Sequence, residues 1–370
     1  MPFDPRYEDY LRSGIAFARS LEGADPFGAA RAAMGFRRRF ERQDDDLPAT
    51  DADRAFHLVA RAAELLDYEL PFAGDDEVAR IRDDASEMLS EAISLDGSCY
   101  DAIRMRDLLR SDGFDAHYRF LSDGVDEVVA RGTEARDRAL AGQGPDPRLA
   151  ADLAMRPCLR WLAELATRSL VCGRYRRSVE VSRRLLALDE AGVADAGFTY
   201  AFALAKLEDD HGLDRIAEAT RDATRQRGGT DPWMLIARMA CAHARLDMQE
   251  ARRLAGVLLG AYPHAGSILM GQDELSDGAF ARLAVDPWQE DELVLAVSEA
   301  AVLLQEGREY ESRGTLGAWV AGLPEVERAV AREAAEDSGA EGGRARRGGR
   351  GSGGDRGSGG TDAAEGGERA

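Results

Sequence analysis

Asparagine is absent from the 370 residues, and lysine occurs once, at Lys206, among 48 basic side chains. Without asparagine, the chain has no acceptor for N-linked glycosylation. A site that needs a lysine nucleophile has a single candidate. We interpret the strong preference for arginine as the codon bias of a GC-rich genome and assign no chemistry to it.

Cysteine and long apolar runs are also scarce. The four cysteines, Cys99, Cys158, Cys172 and Cys241, form no CxxC pair, a pattern typical of small buried residues in a reducing compartment. The first residues lack the basic and apolar regions of a secretory signal. The longest uncharged run, Leu254–Gln272, contains a proline and four glycines, so we do not interpret it as a membrane span. We expect a soluble cytoplasmic protein without membrane association.

The charge and the hydrophobic pattern restrict the classes of partner and of fold that the sequence allows. A net charge of −20 gives the chain no bulk attraction to nucleic acid or to anionic membranes. Apolar residues make up 44% of the sequence, which is enough for a packed structure. No run alternates β-branched and polar residues with a period of two, so we expect helices and no sheet.

Four segments of equal length share one pattern when they are aligned without gaps. The segments are Arg80–Gly97, Gly173–Glu190, Leu246–Pro263 and Gly307–Pro324. Their sixth column holds only small residues, namely Ala85, Ser178, Ala251 and Ser312. The thirteenth and fourteenth columns are apolar, and together with the sixth and tenth they lie on one face of an α-helix. The pattern predicts four copies of one amphipathic helix.

The positions where these helices stop recur at regular intervals. The stops are Gly97, Gly132, Glu190, Gly228, Pro263 and Pro324. Three of the five intervals between successive stops span roughly 35–38 residues, a length that indicates an array of paired helices. The second and fifth intervals are longer by roughly 25 residues, which predicts inserts near 133–155 and 264–288.

The best copy resembles a tetratricopeptide repeat. Gly173, Tyr175 and Ser178 resemble that family's turn and second helix, and Leu162, Leu165 and Ala166 its first helix. The copy at 246–263 ends in the proline that the family has there, Pro263. The resemblance covers residues 75–325 and implies a right-handed superhelix of αα-hairpins whose first helices line a concave groove. The alternative is an irregular all-helical domain whose helix faces align by chance.

The two ends of the chain differ from the repeats. Residues 1–74 predict three helices, at 5–21, 26–42 and 52–66, which we interpret as a capping region. Residues 333–370 are rich in glycine and arginine and poor in apolar side chains, so we expect a disordered tail. Five Asp-Pro pairs predict helix starts, at Asp4, Asp25, Asp146, Asp231 and Asp286.

No motif for catalysis or for a cofactor has the required context. The glycine pattern at 349–354 follows no strand and precedes no helix pattern, so it does not predict a dinucleotide site. The five histidines lack metal-ligand spacing, and neither a nucleophile elbow nor a phosphate-binding loop occurs. We predict no catalytic residues, no metal, no cofactor and no enzymatic activity.

One basic region is conspicuous in this acidic chain. The segment 153–188 contains eight arginines and only two acids. We predict Arg156, Arg160 and Arg168 as candidate partner-binding residues, because the planar guanidinium group suits the carboxylates of an acidic peptide. Arg160 and Arg168 are separated by about 80° around the helix axis. The alternative is that these arginines pair with acids of neighbouring helices.

These observations predict a non-catalytic scaffold or adaptor that binds a protein or an acidic peptide segment in the concave groove. One alternative is an RNA-associated protein that uses the Arg/Gly tail, around 346–351, and the arginine-rich repeat. A second alternative is an enzyme with a site in the insert 264–288. The sequence assigns no oligomeric state.

Overall fold

The structure, a computed structural model, describes residues 4–42, 47–189, 192, 194, 197–219, 231–272, 275, 285–307 and 313–348, with side chains in the last helix described to 336. The described residues contain α-helices and no β-strand, which confirms the expected all-α class. Most helices pack mainly against helices that are near them along the chain. No helix among the described residues combines the length and the apolar character that crossing a bilayer requires.

The helices are numbered here in chain order. The first ten are α1 (Pro5–Ser20), α2 (Pro26–Glu41), α3 (Asp51–Glu64), α4 (Asp75–Leu95), α5 (Tyr100–Arg110), α6 (Phe114–Ala141), α7 (Pro147–Val171), α8 (Tyr175–Leu188), α9 (Gly197–Lys206) and α10 (Asp210–Ala219). The others are α11 (Pro232–Ala244), α12 (Met248–Ala261), α13 (Ala265–Met270), α14 (Glu290–Glu299), α15 (Ala301–Leu304), α16 (Thr315–Ala321) and α17 (Pro324–Gly348). A π-helical turn, Leu65–Glu69, and a 3₁₀ turn, Leu70–Phe72, follow α3.

Aspartate caps start four of the five helices predicted from Asp-Pro pairs. At α1, α2, α7 and α11 the aspartate side chain accepts a hydrogen bond from a first-turn amide, and proline occupies the first turn. The prediction at Asp286 is wrong, because α14 begins at Glu290 after the cap residue Gln289. Trp288 has a φ of 68°, and this left-handed conformation prevents a continuous right-handed helix from running from Pro287 into α14.

One turn geometry recurs in the three hairpins α7–α8, α9–α10 and α11–α12. The turn residues Gly173, Glu208 and Leu246 have φ of 72°, 56° and 62°. Each turn residue donates to the carbonyl three residues back, and the next residue donates to the carbonyl five residues back. This Schellman arrangement satisfies the free carbonyls at the end of the first helix. Successive turns are spaced by roughly 35–38 residues, the same period as the three shorter intervals between the stop positions.

Replacing Leu246 by glycine is expected to raise the free energy of unfolding by about 0.5–1 kcal/mol, because the left-handed conformation strains a residue with a Cβ. The Leu246 side chain is 80% exposed, so little packing is lost. The matched change is Gly173→Ala, where an added Cβ meets no atom within 4 Å and backbone strain alone acts. This change should lower stability by a similar amount. Urea unfolding measures both, and shifts of the same sign would contradict the prediction.

The sixth and tenth columns of the aligned helix face are buried where the structure describes them. The small residues Ala85, Ser178 and Ala251 are completely buried, and so are Leu185 and Leu258 in the thirteenth column. Ser312 lies outside the described residues. The fourteenth column is not uniformly buried, because Leu186 is 45% exposed at the edge of the α8 face.

Buried apolar residues form three clusters in chain order. The first joins α3, α4 and α5, and the second joins α5, α6, α7 and α8. The third extends from the end of α7 to the start of α17. None of the three clusters includes a residue of α1 or α2, whose rings of Tyr10, Phe17, Phe36 and Phe40 pack on one another.

The predicted inserts and the predicted tail coincide, where the structure describes them, mainly with helices. Residues 133–155 form the end of α6, a short connection and the start of α7, so the extra length lies mainly in two long helices. Residues 264–288 include α13, whereas 273–274 and 276–284 lie outside the described residues. Of the predicted tail, 333–348 belong to α17, and 349–370 lie outside the described residues.

The single lysine connects two distant parts of the chain. Lys206, at the end of α9, forms an ion pair with Glu306, which follows α15. Its ammonium group lies 5.6 Å from the centre of the Tyr175 ring, and the Tyr175 hydroxyl donates to Glu306 Oε1 at 3.3 Å. The Lys206 side chain is only 6% exposed. This contact joins the α7–α8 hairpin to the helices that follow α14.

Candidate functional site

Helix α7 carries a row of charged side chains at intervals of four residues. The row consists of Asp152, Arg156, Arg160, Glu164 and Arg168. A spacing of four keeps successive side chains adjacent on one side of a helix. Each member of the row is partly buried and forms at least one ion pair. The row faces α1 and α5, and we call it the α7 arginine face.

Arg160 is the centre of this face. Its Nε donates to Asp101 Oδ1 at 2.8 Å and its Nη2 donates to Asp101 Oδ2 at 2.5 Å, so the guanidinium binds this carboxylate with two parallel bonds. Arg160 Nη1 donates to Glu8 Oε2 of α1 at 2.8 Å. Both carboxylates are almost inaccessible to solvent, which makes this a buried charge cluster.

The neighbouring arginine joins the same carboxylate of α1. Arg156 Nη2 donates to Asp152 Oδ2 at 2.8 Å, and Arg156 Nη1 donates to Glu8 Oε2 at 3.3 Å. Arg12, one turn after Glu8 on α1, donates to Glu8 Oε1 from Nη2 at 2.8 Å. Glu8 therefore contacts three guanidinium groups, two of which belong to α7.

The electrostatic balance keeps these carboxylates charged. Burial raises the pKa of Asp101, but the attraction and hydrogen bonds of Arg160 outweigh burial and lower it to about 2. Burial also raises the pKa of Glu8, and Arg160 and Arg12 again lower it below its usual value. At neutral pH the cluster therefore consists of ionised groups.

A second part of the face surrounds Glu164. Arg168 Nε donates to Glu164 Oε1 at 2.6 Å, whereas Arg104 Nη1 and His117 Nε2 lie 3.8 Å from this carboxylate. The Arg168 guanidinium lies 4.9 Å from the centre of the Phe114 ring, a cation–π contact. Phe114 is 57% exposed, so this end of the face is open to solvent.

The three predicted partner-binding residues lie together on this face. Arg156 and Arg160 pair with Glu8, and Arg168 pairs with Glu164. The alternative left open by the sequence, pairing with acids of neighbouring helices, therefore applies to Arg156 and Arg160, whereas Arg168 pairs with an acid of its own helix. Binding of a partner by these arginines stays a prediction.

Sequence reasoning missed the acids and one backbone group that complete the face. Glu8 and Asp101 are 152 and 59 residues from Arg160, and no sequence pattern connects them. Pro157 does carry a signal, because a proline inside a helix has no N–H for the carbonyl four residues earlier. That carbonyl belongs to Leu153, and it accepts a hydrogen bond from Arg12 Nη2 at 2.8 Å.

The described residues bring together no group of three or more histidine, cysteine or acidic side chains that could hold a metal ion. The four cysteines are free thiols. Burial raises the pKa of Cys99 to about 12 and that of Cys158 to about 11, so these two thiols are protonated at neutral pH. On the α7 arginine face the guanidinium groups of Arg156, Arg160 and Arg168 are bound to carboxylates of the chain, which is the chemistry that this geometry suits.

Similarity to known proteins adds no assignment to this geometry. No protein-family model matches the chain, no curated protein matches it, and no solved structure matches it.

Proposed function

We propose that the chain is a tetratricopeptide-like array of helical hairpins that acts as a non-catalytic, cytoplasmic protein–protein interaction scaffold. The observation that carries the proposal is the turn shared by Gly173, Glu208 and Leu246. Helical hairpins stacked through a constant turn form extended surfaces, and proteins of this kind use such surfaces to bind other proteins. The four free cysteines are in keeping with a reducing compartment.

The binding surface that we assign is the α7 arginine face together with the exposed side of α5. Its open end presents Phe114 beside Arg168, and Val171 and Leu108 are also exposed on α7 and α5. Arginine and aromatic side chains dominate the energetics of many protein interfaces. A segment with a carboxylate and an apolar side chain would match this end of the face.

A photo-cross-linking experiment tests the proposal. The photoreactive residue p-benzoylphenylalanine replaces Phe114 in the full chain, and cross-linking is carried out in the native cell lysate. The matched control carries the same residue at Phe72, which is 75% exposed but lies between α3 and α4. We expect a discrete protein adduct from position 114 that is absent from position 72. Arg168→Ala should reduce this adduct, and Arg177→Ala, on the surface of α8, should not.

Two outcomes would contradict the proposal. The first is the absence of any protein adduct at position 114 while the chain remains folded by circular dichroism. The second is the same set of adducts at positions 114 and 72, because that result indicates unspecific contact.

A further inference from the structure

Helix α1 of the α1–α2 hairpin packs along α3, and the side-chain contacts described between this hairpin and the rest of the chain are mainly polar. Phe17 and Phe36 stack at 4.8 Å, and Tyr10 lies 5.3 Å from both Phe36 and Phe40, so the aromatic side chains of the hairpin contact one another. The three apolar clusters of the array begin at Ala55. Interfaces with little apolar burial resemble those of partners that associate and dissociate.

Three side chains within one turn of α1 make the polar contacts. Glu8 accepts from Arg156 and Arg160, as described above. Asp9 Oδ2 lies 2.7 Å from His57 Nδ1 on α3. Arg12 donates to the Leu153 carbonyl, and its guanidinium lies 4.2 Å from the centre of the Phe56 ring. The turn therefore presents a carboxylate, a second carboxylate and a guanidinium in the order Glu-Asp-x-x-Arg.

The array presents the complementary groups from its own helices. Arg156 and Arg160 supply donors for one carboxylate, and His57 faces the second. Pro157 leaves the Leu153 carbonyl without its helical donor, so this oxygen needs a donor from outside α7. These groups form a receptor for a helix with an acidic pair followed by an arginine.

We propose that α1 is the resident ligand of this receptor, and that a helix of a partner protein carrying the same acidic pair and arginine displaces it. The inference rests on the proposed scaffold function and names the ligand class and the regulation of its face. When α1 leaves, Glu8, Asp9 and Arg12 regain water, and the incoming helix restores the same ion pairs to Arg156 and Arg160. The incoming helix makes the same ion pairs that α1 made. The affinity of α1 for the receptor therefore sets the affinity that a partner helix needs in order to displace it.

A peptide exchange experiment with the full chain tests the displacement. The probe is a fluorescent peptide with the sequence of residues 4–42, and the control peptide carries Glu8→Gln, Asp9→Asn and Arg12→Gln. The same three substitutions in the full chain weaken only its own α1. We expect the substituted chain to bind the probe about tenfold or more tightly than the natural chain does, because no resident helix competes. The control peptide should bind neither chain.

A second measurement requires no substitution. Hydrogen exchange of the natural chain should show that the amides of α1 and α2 open separately from those of α6 and α7. Raising NaCl from about 0.05 M to about 0.5 M should increase this opening, since salt screens ion pairs. Ultracentrifugation shows whether the chain dimerises, which it would do if α1 of a second copy occupied the receptor.

Three results would overturn the inference. They are equal affinity of both chains for the probe, equal protection of α1 and α6, and a stable dimer in which hairpins are exchanged. The peptide assay uses no natural partner, so its outcome is separate from the cross-linking test at Phe114. Absence of the adduct at position 114 would contradict the scaffold proposal, whereas the peptide assay would still show whether α1 exchanges.

Discussion

Replacing Arg160 by alanine is expected to lower the free energy of unfolding by about 3–5 kcal/mol, the range found when one partner of a buried ion pair is removed. The reason is Asp101, whose completely buried carboxylate loses both of its parallel hydrogen bonds. Arg104 lies 3.5 Å from Asp101 and compensates only in part. Glu8 contributes less to the loss, because α1 can separate and return that carboxylate to water. Urea unfolding followed by far-ultraviolet circular dichroism measures the change.

The matched control is Arg177→Ala. Arg177 pairs with Glu180 at 2.8 Å on the exposed side of α8. Exposed ion pairs contribute about 0–1 kcal/mol, so this variant should unfold close to the natural chain. If Arg160→Ala were as stable as Arg177→Ala, the buried cluster would not stabilise the fold.

Replacing Trp161 by alanine is expected to lower the free energy of unfolding by about 3–5 kcal/mol through a cavity between α6 and α7. The indole is buried, and its Nε1 donates to the Leu121 carbonyl at 2.9 Å. The α6 backbone approaches it so closely that a Cβ on Gly124 would lie 2.9 Å from Trp161 Cζ2. The ring is therefore closely packed, and after its removal the neighbouring atoms can fill the cavity only in part. Circular dichroism is the appropriate probe, since the variant loses a fluorescent group.

The control for the Trp161 variant is Phe72→Ala, which removes an exposed aromatic ring. This change should alter the free energy of unfolding by less than about 0.5 kcal/mol. Equal losses in the two variants would show that Trp161 is not closely packed between α6 and α7. A third variant, Trp161→Phe, retains most of the buried ring and should show an intermediate loss.

Local features of this fold could be predicted from the sequence. The Asp-Pro pairs at Asp4 and Asp25 set the starts of α1 and α2, because the aspartate side chain and the proline ring act within one turn. The recurring turn is local too, since its hydrogen bonds join residues at most five positions apart. The edge of a buried face is less predictable, and Leu186 is exposed although the aligned column is apolar.

Only the basic residues of the candidate site could be predicted from the sequence. Arg156, Arg160 and Arg168 were recognisable as a basic region of α7 in an acidic chain. Their partners were not, because Glu8 comes from a helix far earlier in the sequence and the chain contains many other acids. Which acid pairs with a given arginine depends on how the helices pack in three dimensions, and the spacing of residues along the sequence does not determine this packing. The proline at 157 was the one local sign of a contact from another helix.

The buried lysine has a practical consequence for following the chain in solution. A protease that cuts only after lysine has one site in all 370 residues, at Lys206, and cleavage there separates fragments 1–206 and 207–370. Because the side chain is ion-paired and nearly inaccessible, the enzyme can cut only after the contact with Glu306 has opened. The rate at which two bands replace one on a gel therefore reports how often that junction separates.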